Sequence, residues 1–203
     1  MKERPILFSA PMVRAILAGA KTQTRRHLYV VSKLTDRAVM DTRYPPDYGK
    51  GEWPNVPPGH AWTLSRWRHL QPGDRLWVRE AWREWSDAAW HYAADGLVLP
   101  KQRDRELAEC LAQRAPFTWE SYTWRPSIHM PRWASRITLE VTGVRVERLQ
   151  DISTADCWAE GLSASPDVDP VHEYRDLWEA INGPGSWDAN PWVWAISFRR
   201  RLP

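Results

Sequence analysis

The order of strand and helix signals between Gly73 and Leu149 constrains the fold of this chain most. Residues 75–82 partly alternate polar and apolar side chains, residues 91–95 predict a short partner strand, and residues 136–149 give the clearest strand pattern. A doubly wound α/β fold needs regular alternation of strands and helices, which this stretch lacks. The sequence therefore predicts an α+β protein, in which strands form a small β-barrel or curled sheet flanked by short helices.

Three short helices are predicted from capping residues and apolar spacing. The first spans about residues 11–18, the second starts at the capping-box pattern of residues 153–156, and the third is bounded by Asp169 and Gly183. The chain closes with a strand over residues 192–198. The residues predicted to fill the core lie on three strands and are Leu76, Val78, Ile137, Leu139, Val141, Val193 and Ile196.

Two segments interrupt this pattern. Residues 35–68 are rich in Pro, Gly and Trp without strand or helix periodicity, which predicts an inserted flap. Residues 97–125 contain apolar residues at helical spacing over 101–114, which predicts a helical insertion. We therefore expect the 203 residues to form one domain carrying two insertions.

Composition bounds the function classes. Lys and Arg total 28 against 25 Asp and Glu, a net charge of +3, and no apolar run approaches the ~20 residues that cross a bilayer. The two cysteines, Cys110 and Cys157, are too few for a disulfide framework, and the six histidines are isolated. We expect a cytoplasmic protein without membrane contact, metal or organic cofactor, as a monomer or a weak dimer.

Two residue types stand above the average. Trp supplies 15 of the 24 aromatic residues, and Arg supplies 23 of the 28 basic ones. Indoles stack on nucleobases and guanidinium groups bind phosphate, so the composition favours nucleobase or nucleic-acid binding. The alternative is that the indoles fill the core. The modest net charge favours a small nucleoside over a long polyanion, although a local arginine patch binds RNA at any net charge.

The segment Gly19-Ala20-Lys21-Thr22-Gln23-Thr24-Arg25-Arg26 lies between a predicted helix end and a predicted strand. It resembles the G-x-K-T-x-T-x-R segment of the ASCH family, a group of PUA-like β-barrels. The resemblance extends to residues 73–76, to residues 159–161 and to the aromatic closing strand, and residues 126–136 resemble the larger phage-encoded members. It covers most of the chain outside the two insertions.

This resemblance implies an amidohydrolase that removes the acyl group from N4-acylated cytosine nucleosides such as N4-acetylcytidine. The catalytic Lys, Thr and Glu of the small bacterial members match Lys21, Thr24 and Glu160. Other members bind RNA or are reported to act as ribonucleases. An RNA-binding module or a ribonuclease that uses the same cleft therefore stays an alternative, with RNA as a second partner class beside the nucleoside.

Amide hydrolysis needs a nucleophile and a base that takes its proton. Thr24 can attack the acyl carbonyl if Lys21 is neutral, and we expect burial and the charges of Arg25 and Arg26 to lower the pKa of Lys21. Glu160 can accept a hydrogen bond from the cytosine amine or return a proton to it. An activated water in place of Thr24 is equally compatible.

The same residues also have a structural interpretation. Lys21 then is a solvated residue near a helix end, Thr24 is an ordinary strand threonine, and Glu160 is an exposed helix residue. A second set of residues is predicted to bind substrate, because each carries a charge, an aromatic ring or a hydroxyl. These residues are Arg26, Trp77, Arg79, Glu80, Trp133 and Ser135.

Overall fold

The computed structural model describes residues 1–28, 30–32, 38–39, 62–64, 67, 69–86, 89–100, 123–162 and 168–201. Strands dominate and helices are few, which confirms the predicted α+β class. The helix predicted over 101–114 and most of the predicted flap lie outside the described residues. Two short strands, at residues 38–39 and 62–64, lie within the sequence range of that flap, where periodicity predicted none.

The elements follow in chain order. They are β1 (Glu3–Leu7), α1 (Ala10–Leu17), β2 (Gln23–His27), β3 (Val30–Ser32), β4 (Ala38–Val39), β5 (Trp62–Leu64), β6 (Arg75–Arg79), β7 (Trp82–Ser86), β8 (Ala89–Tyr92), β9 (Val98–Pro100), β10 (Thr138–Arg148), α2 (Thr154–Ala159), α3 (Pro170–Asn182) and β11 (Trp192–Arg201). Short 3-10 turns occur at Ser127–His129, Arg132–Ala134 and Leu149–Asp151.

The chain divides into two compact units. The first unit comprises Met1–Gly19, Arg75–Glu140 and Arg200–Pro203, and the second comprises Ala20–Asp74 and Val141–Arg199. A five-stranded sheet has the order β1-β6-β10-β11-β2, and β10 contributes residues to both units.

In the first unit, β1 pairs in parallel with β6, and Thr138–Glu140 of β10 pairs antiparallel with the other side of β6. The sequence pattern missed β1 because Pro5 interrupts it. Pro5 is tolerated there because β1 is an edge strand, where one side of the backbone needs no ladder partner. Strands β7, β8 and β9 form a separate antiparallel sheet.

In the second unit, β2 pairs antiparallel with β11, from Gln23 opposite Ser197 to His27 opposite Val193. Strand β3 lies between β4 and β5. Helix α2 begins at the predicted capping box, in which the Ser153 hydroxyl accepts from the Asp156 backbone and the Asp156 carboxylate accepts from the Ser153 backbone. Both helix ends of α3 were also predicted, because it starts after Asp169 and stops at Gly183 with a φ of +98°.

The predicted core is confirmed, since all seven residues are between 0 and 3 % exposed. Each unit also has an apolar cluster of its own. Trp82, Trp90, Tyr92, Met130 and Ala134 form one in the first unit. In the second unit the cluster consists of Leu149, Ile152, Cys157, Tyr174, Trp178, Trp187 and Val193.

We expect Leu139→Ala to lower the free energy of unfolding by ~2–5 kcal/mol, because the side chain is fully buried and its removal leaves a cavity. Leu97→Ala is the matched control in the same unit, since Leu97 is 44 % exposed and should change stability by at most about 0.5 kcal/mol. Urea unfolding measures both variants. Equal losses in the two would contradict the assignment of Leu139 to the core.

Candidate active site

The backbone around Lys21 is fixed from two sides. The chain turns at Gly19, whose φ of +78° favours glycine, and Lys21 then forms an antiparallel bridge with Glu160, the residue that ends α2. The Thr22 N–H donates to the carbonyl of Ala159 at 2.7 Å, and the Thr22 carbonyl accepts from Phe198 of β11 at 2.8 Å. Lys21 is therefore held by both a helix end and a strand.

Lys21 and Glu160 form a buried ion pair. The Lys21 Nζ donates to the Glu160 Oε2 at 2.6 Å and to the Glu160 backbone carbonyl at 2.7 Å. The side chains are 1 % and 4 % exposed, so the interpretation of both as solvated surface residues is wrong. Burial, aided by the charges of Arg26 and Arg25, lowers the pKa of Lys21 against the opposing pull of Glu160, which is the expected direction.

Arg25 joins this pair to two further carboxylates. Its Nη1 lies 3.3 Å from the Glu160 Oε1, and its Nη2 lies 2.5 Å from the Glu147 Oε1 and 3.2 Å from the Asp156 Oδ2. Arg145 binds the remaining oxygens of Glu147 and Asp156 at 2.6 and 2.8 Å. Arg25, Glu147, Arg145 and Asp156 thus form a closed ring of alternating charge, which we call the ion ring.

Asp156 and Tyr174 have pKa values that are shifted by their surroundings. Although burial alone would raise it, hydrogen bonds from Ser153 and Arg145 hold the pKa of Asp156 at about 2. Burial and the charge of Glu160 raise the pKa of the Tyr174 hydroxyl well above its usual value. The Tyr174 ring also lies 5.8 Å from the Arg25 guanidinium. Tyr174 therefore remains a neutral hydroxyl in the electrostatic field of Glu160.

Thr24 and Arg26 lie on β2 together with Arg25. Thr24 is buried and stands opposite Ile196 of β11, and Arg26 is half-buried opposite Trp194. The Gln23 and Arg25 side chains share one face of β2, since Arg25 donates to the Gln23 side chain at 2.8 Å. Alternation then directs Thr24 and Arg26 to the other face of the strand.

Five predicted substrate-binding residues belong to the first unit, and Glu80 is the most constrained of them. Both of its carboxylate oxygens accept from Arg136 at 2.9 Å, and Arg136 also donates twice to Asp95. The Arg136 guanidinium lies 4.3 Å from the Tyr92 ring centre. Glu80 is 1 % exposed and anchors Arg136 in this arrangement.

Trp77, Arg79 and Ser135 make local contacts. The Arg79 guanidinium lies 4.7 Å from the centre of the buried Trp77 ring. The Nη1 of Arg79 donates to the Ile128 carbonyl. The Ser135 hydroxyl donates to the Val78 carbonyl at 2.8 Å.

Trp133 is 65 % exposed, and its ring contacts Trp82 and Trp90. Trp82 and Trp90 therefore fill the core, as the alternative interpretation of the indoles predicted, whereas Trp133 faces solvent.

Several charged residues of these arrangements were absent from the sequence prediction. Arg25 was predicted only as a charge that lowers the pKa of Lys21, and Tyr174 lies on the third predicted helix, to which no site role was assigned. One feature of the sequence could have indicated a buried Arg25. It lies two residues after Gln23, so strand alternation places both side chains on the same face of β2. Asp156 was predicted as the acidic residue of the capping box, but its ion pairs were not. No spacing pattern pointed to the other missed residues, which are Asp95, Arg136, Arg145 and Glu147.

Among the described residues, no three His, Cys, Asp or Glu side chains are grouped so that they could hold a metal ion. In the same part of the chain, no helix has the length and apolar character needed to cross a membrane. The chain matched no description of a known protein family, no characterised protein and no solved structure.

The ion ring makes a prediction for acid stability. The folded pKa of Asp156, about 2, lies below the ordinary value of 3.8, so its stabilising effect is present above pH 3.8 and is lost as the pH falls through 2. Asp156→Asn should therefore be less stable than wild type at pH 5, and the difference should shrink toward pH 2. Urea unfolding across this range measures it, and a difference independent of pH would contradict the role of Asp156 as a carboxylate.

Proposed function

We propose that this chain is an amidohydrolase of the ASCH type, which removes the acyl group from N4-acylated cytosine nucleosides on a PUA-like β-barrel. The observation that carries this proposal is the buried pair of Lys21 and Glu160, because two residues matched through the resemblance alone lie 2.6 Å apart. They are 139 positions apart in sequence. Burial of a lysine beside two arginines is also the environment that prepares an amine to act as a base.

The proposed mechanism uses side chains of the second unit. Neutral Lys21 takes the proton of a water, whose oxygen attacks the acyl carbonyl carbon. Thr24 replaces this water as the nucleophile only if the segment between it and Lys21 bends, because strand alternation directs Thr24 to the other face of β2. The tetrahedral intermediate then breaks its bond to N4, and the proton held by Lys21 passes to the departing amine. With water, the acid product forms directly. With Thr24, an ester forms first and a water hydrolyses it. Glu160 orients the lysine amine throughout.

The six residues predicted to bind substrate are divided between the two units. Arg26 belongs to the second unit together with the catalytic candidates, and its permanent charge suits an oxyanion. The other five belong to the first unit.

Incubation of the purified protein with N4-acetylcytidine, with EDTA present, tests the proposal directly. We expect the release of cytidine and acetate in equal amounts, and liquid chromatography measures both products. Absence of release from N4-acetylcytidine and from longer N4-acyl homologues would refute the proposed activity. EDTA-resistant turnover would agree with the expected independence from metal.

RNA binding is the second candidate function, and one surface segment of the first unit favours it. Residues 123–133 expose Trp124 and Trp133 by 41 % and 65 %, and Arg125 and Arg132 are exposed between them. The sequence contains no Asp or Glu from residue 121 to residue 139. Arg132 and Arg125 pair with Glu3 and Glu84 at 3.0 and 3.7 Å. In this proposal the indoles stack on bases, and the exposed guanidinium groups exchange these carboxylates for phosphate.

Contacts with buried residues of the first unit fix the backbone of residues 123–133. Arg125 exchanges two backbone hydrogen bonds with Trp82, and Met130 is fully buried. The Tyr92 hydroxyl donates to the Ala134 carbonyl at 2.8 Å. A fixed backbone lowers the ordering cost of presenting the exposed side chains to a ligand.

We expect Trp133→Ala to weaken the binding of a labelled single-stranded RNA by about 5–150-fold, because one stacked base contributes ~1–3 kcal/mol. Trp158→Ala is the matched control, since Trp158 is 52 % exposed but lies in the second unit. Fluorescence anisotropy at two salt concentrations measures both. Failure of the wild type to bind RNA, or equal losses in the two variants, would remove this candidate.

A further inference from the structure

We propose that Arg25 is the positioning residue of the candidate active site: its guanidinium fixes the carboxylate of Glu160, which in turn holds the amine of Lys21. The kinetic part of this inference rests on the proposed amidohydrolase function. Its electrostatic part concerns the state of Lys21 and can be measured without any substrate.

The contacts of Arg25 restrain its two terminal nitrogens. The side chain is 0 % exposed, and its two terminal nitrogens contact Glu160, Gln23, Glu147 and Asp156. Arg145 closes the ion ring on the far side of Glu147 and Asp156, so the carboxylates that hold Arg25 are themselves held. A guanidinium bound at both ends cannot rotate without breaking several charge-assisted hydrogen bonds.

Glu160 depends on this anchor. One oxygen of its carboxylate accepts from Lys21 at 2.6 Å, and the other lies 3.3 Å from Arg25. The carboxylate therefore bridges two cations, one of which is fixed by the ion ring. An arginine suits this position because its planar fork meets several carboxylates at set angles, whereas a lysine presents one point charge on a flexible stem.

The charges around the pair determine the sign of the effect on Lys21. The groups concerned are Arg25 and Arg26 on β2, Glu160, Asp156 and Cys157 at α2, Arg145 and Glu147 on β10, and Tyr174 on α3. Arg25 disfavours a proton on Lys21 by repulsion and also shares the negative charge of Glu160. Removal of the Arg25 charge should therefore raise the pKa of Lys21.

Three variants separate charge from geometry. Arg25→Gln removes both, Arg25→Lys keeps the charge and removes the fork, and Arg145→Gln is the matched control. Arg145 binds the same Glu147 and Asp156 carboxylates as Arg25, whereas Glu160 is paired with Lys21 and Arg25. Circular dichroism and urea unfolding first establish that each variant is folded.

Nuclear magnetic resonance of the lysine side chains then gives the pKa of Lys21 without substrate. The chain has five lysines, so the Lys21 signal can be assigned from the spectrum of Lys21→Arg. We expect Arg25→Gln to raise the pKa of Lys21 above its wild-type value. Arg25→Lys and Arg145→Gln should leave it close to the wild-type value.

The kinetic readout completes the test. A base works only after losing its proton, so kcat/KM should rise with pH through the pKa of Lys21, and Arg25→Gln should move this limb to higher pH. Arg25→Lys should leave the limb in place but lower kcat by about tenfold or more, because Glu160 is no longer fixed.

Each result decides one part of the proposal. If Arg25→Gln loses stability while the pKa of Lys21 and the limb stay unchanged, Arg25 is only structural and the inference is wrong. If Arg25→Gln does not fold, Arg25→Lys decides, and wild-type kcat in that variant overturns the positioning role. A wild-type protein that hydrolyses no N4-acylcytidine refutes the proposed function, whereas the resonance comparison still tests the control of Lys21 by Arg25.

Discussion

Lys21→Arg should reduce the hydrolysis of N4-acetylcytidine by about 10²–10⁴-fold, the usual contribution of a positioned acid or base. A base must lose its proton, and arginine, with a pKa above about 12, keeps its proton at working pH. The variant preserves the positive charge beside Glu160, so a residue that only bound an anion would tolerate the change. Steady-state kinetics of wild type and variant at the same pH measure the effect.

Variants of the two partner residues act as controls for this experiment. Thr24→Ser keeps the hydroxyl and should retain activity, whereas Thr24→Ala should lose most of it if Thr24 rather than water is the nucleophile. Glu160→Gln shows whether the negative charge is needed. If Lys21→Arg hydrolyses N4-acetylcytidine within about tenfold of wild type, a difference of ~1.4 kcal/mol in barrier, the base role is wrong and RNA binding becomes the leading candidate.

Local sequence patterns predicted the parts of the fold that depend on local physics. The capping box at Ser153, the cap at Asp169 and the stop at Gly183 all lie where the pattern indicated, because a cap involves residues a few positions apart. The alternating residues of β10 were also predicted, since one face of a strand is buried. Strand β1 was missed because its pairing with β6 spans about 70 residues and includes a proline.

The candidate site was predictable only in part, for a physical reason. Arg25 and Glu147 bind each other 122 positions apart, and Lys21 and Glu160 are 139 apart. Charge pairs at such separation leave no periodicity in the sequence, so the ion ring could not be predicted. Lys21 and Glu160 were named through the resemblance, and their contact is an independent geometric observation. Glu80 was predicted as a recognition residue, and its bond to Arg136 was equally invisible because 56 positions separate them.

Glu160→Ala should lower the free energy of unfolding by ~3–5 kcal/mol at pH 7, because it removes one member of a buried ion pair and leaves the Lys21 ammonium without that carboxylate. Lys21→Met should cost less, since Glu160 then keeps its contact with Arg25, and Arg25 keeps Glu147 and Asp156. The double variant Lys21→Met/Glu160→Leu should recover part of the loss of Glu160→Ala, and a double-mutant cycle by urea unfolding gives the coupling free energy.

The pH dependence of Glu160→Ala provides the stricter test. Without Glu160, the folded-state pKa of Lys21 falls further below the unfolded value of 10.5, since burial and the two arginines then act unopposed. The unfolded chain therefore binds more protons than the folded one between these two pKa values, and the stability contributed by this residue rises with pH across that window. The deficit of Glu160→Ala relative to wild type should shrink from pH 7 to pH 9. A deficit that grows with pH would contradict the lowered pKa of Lys21 in the folded variant and, with it, the physical basis for Lys21 as a base.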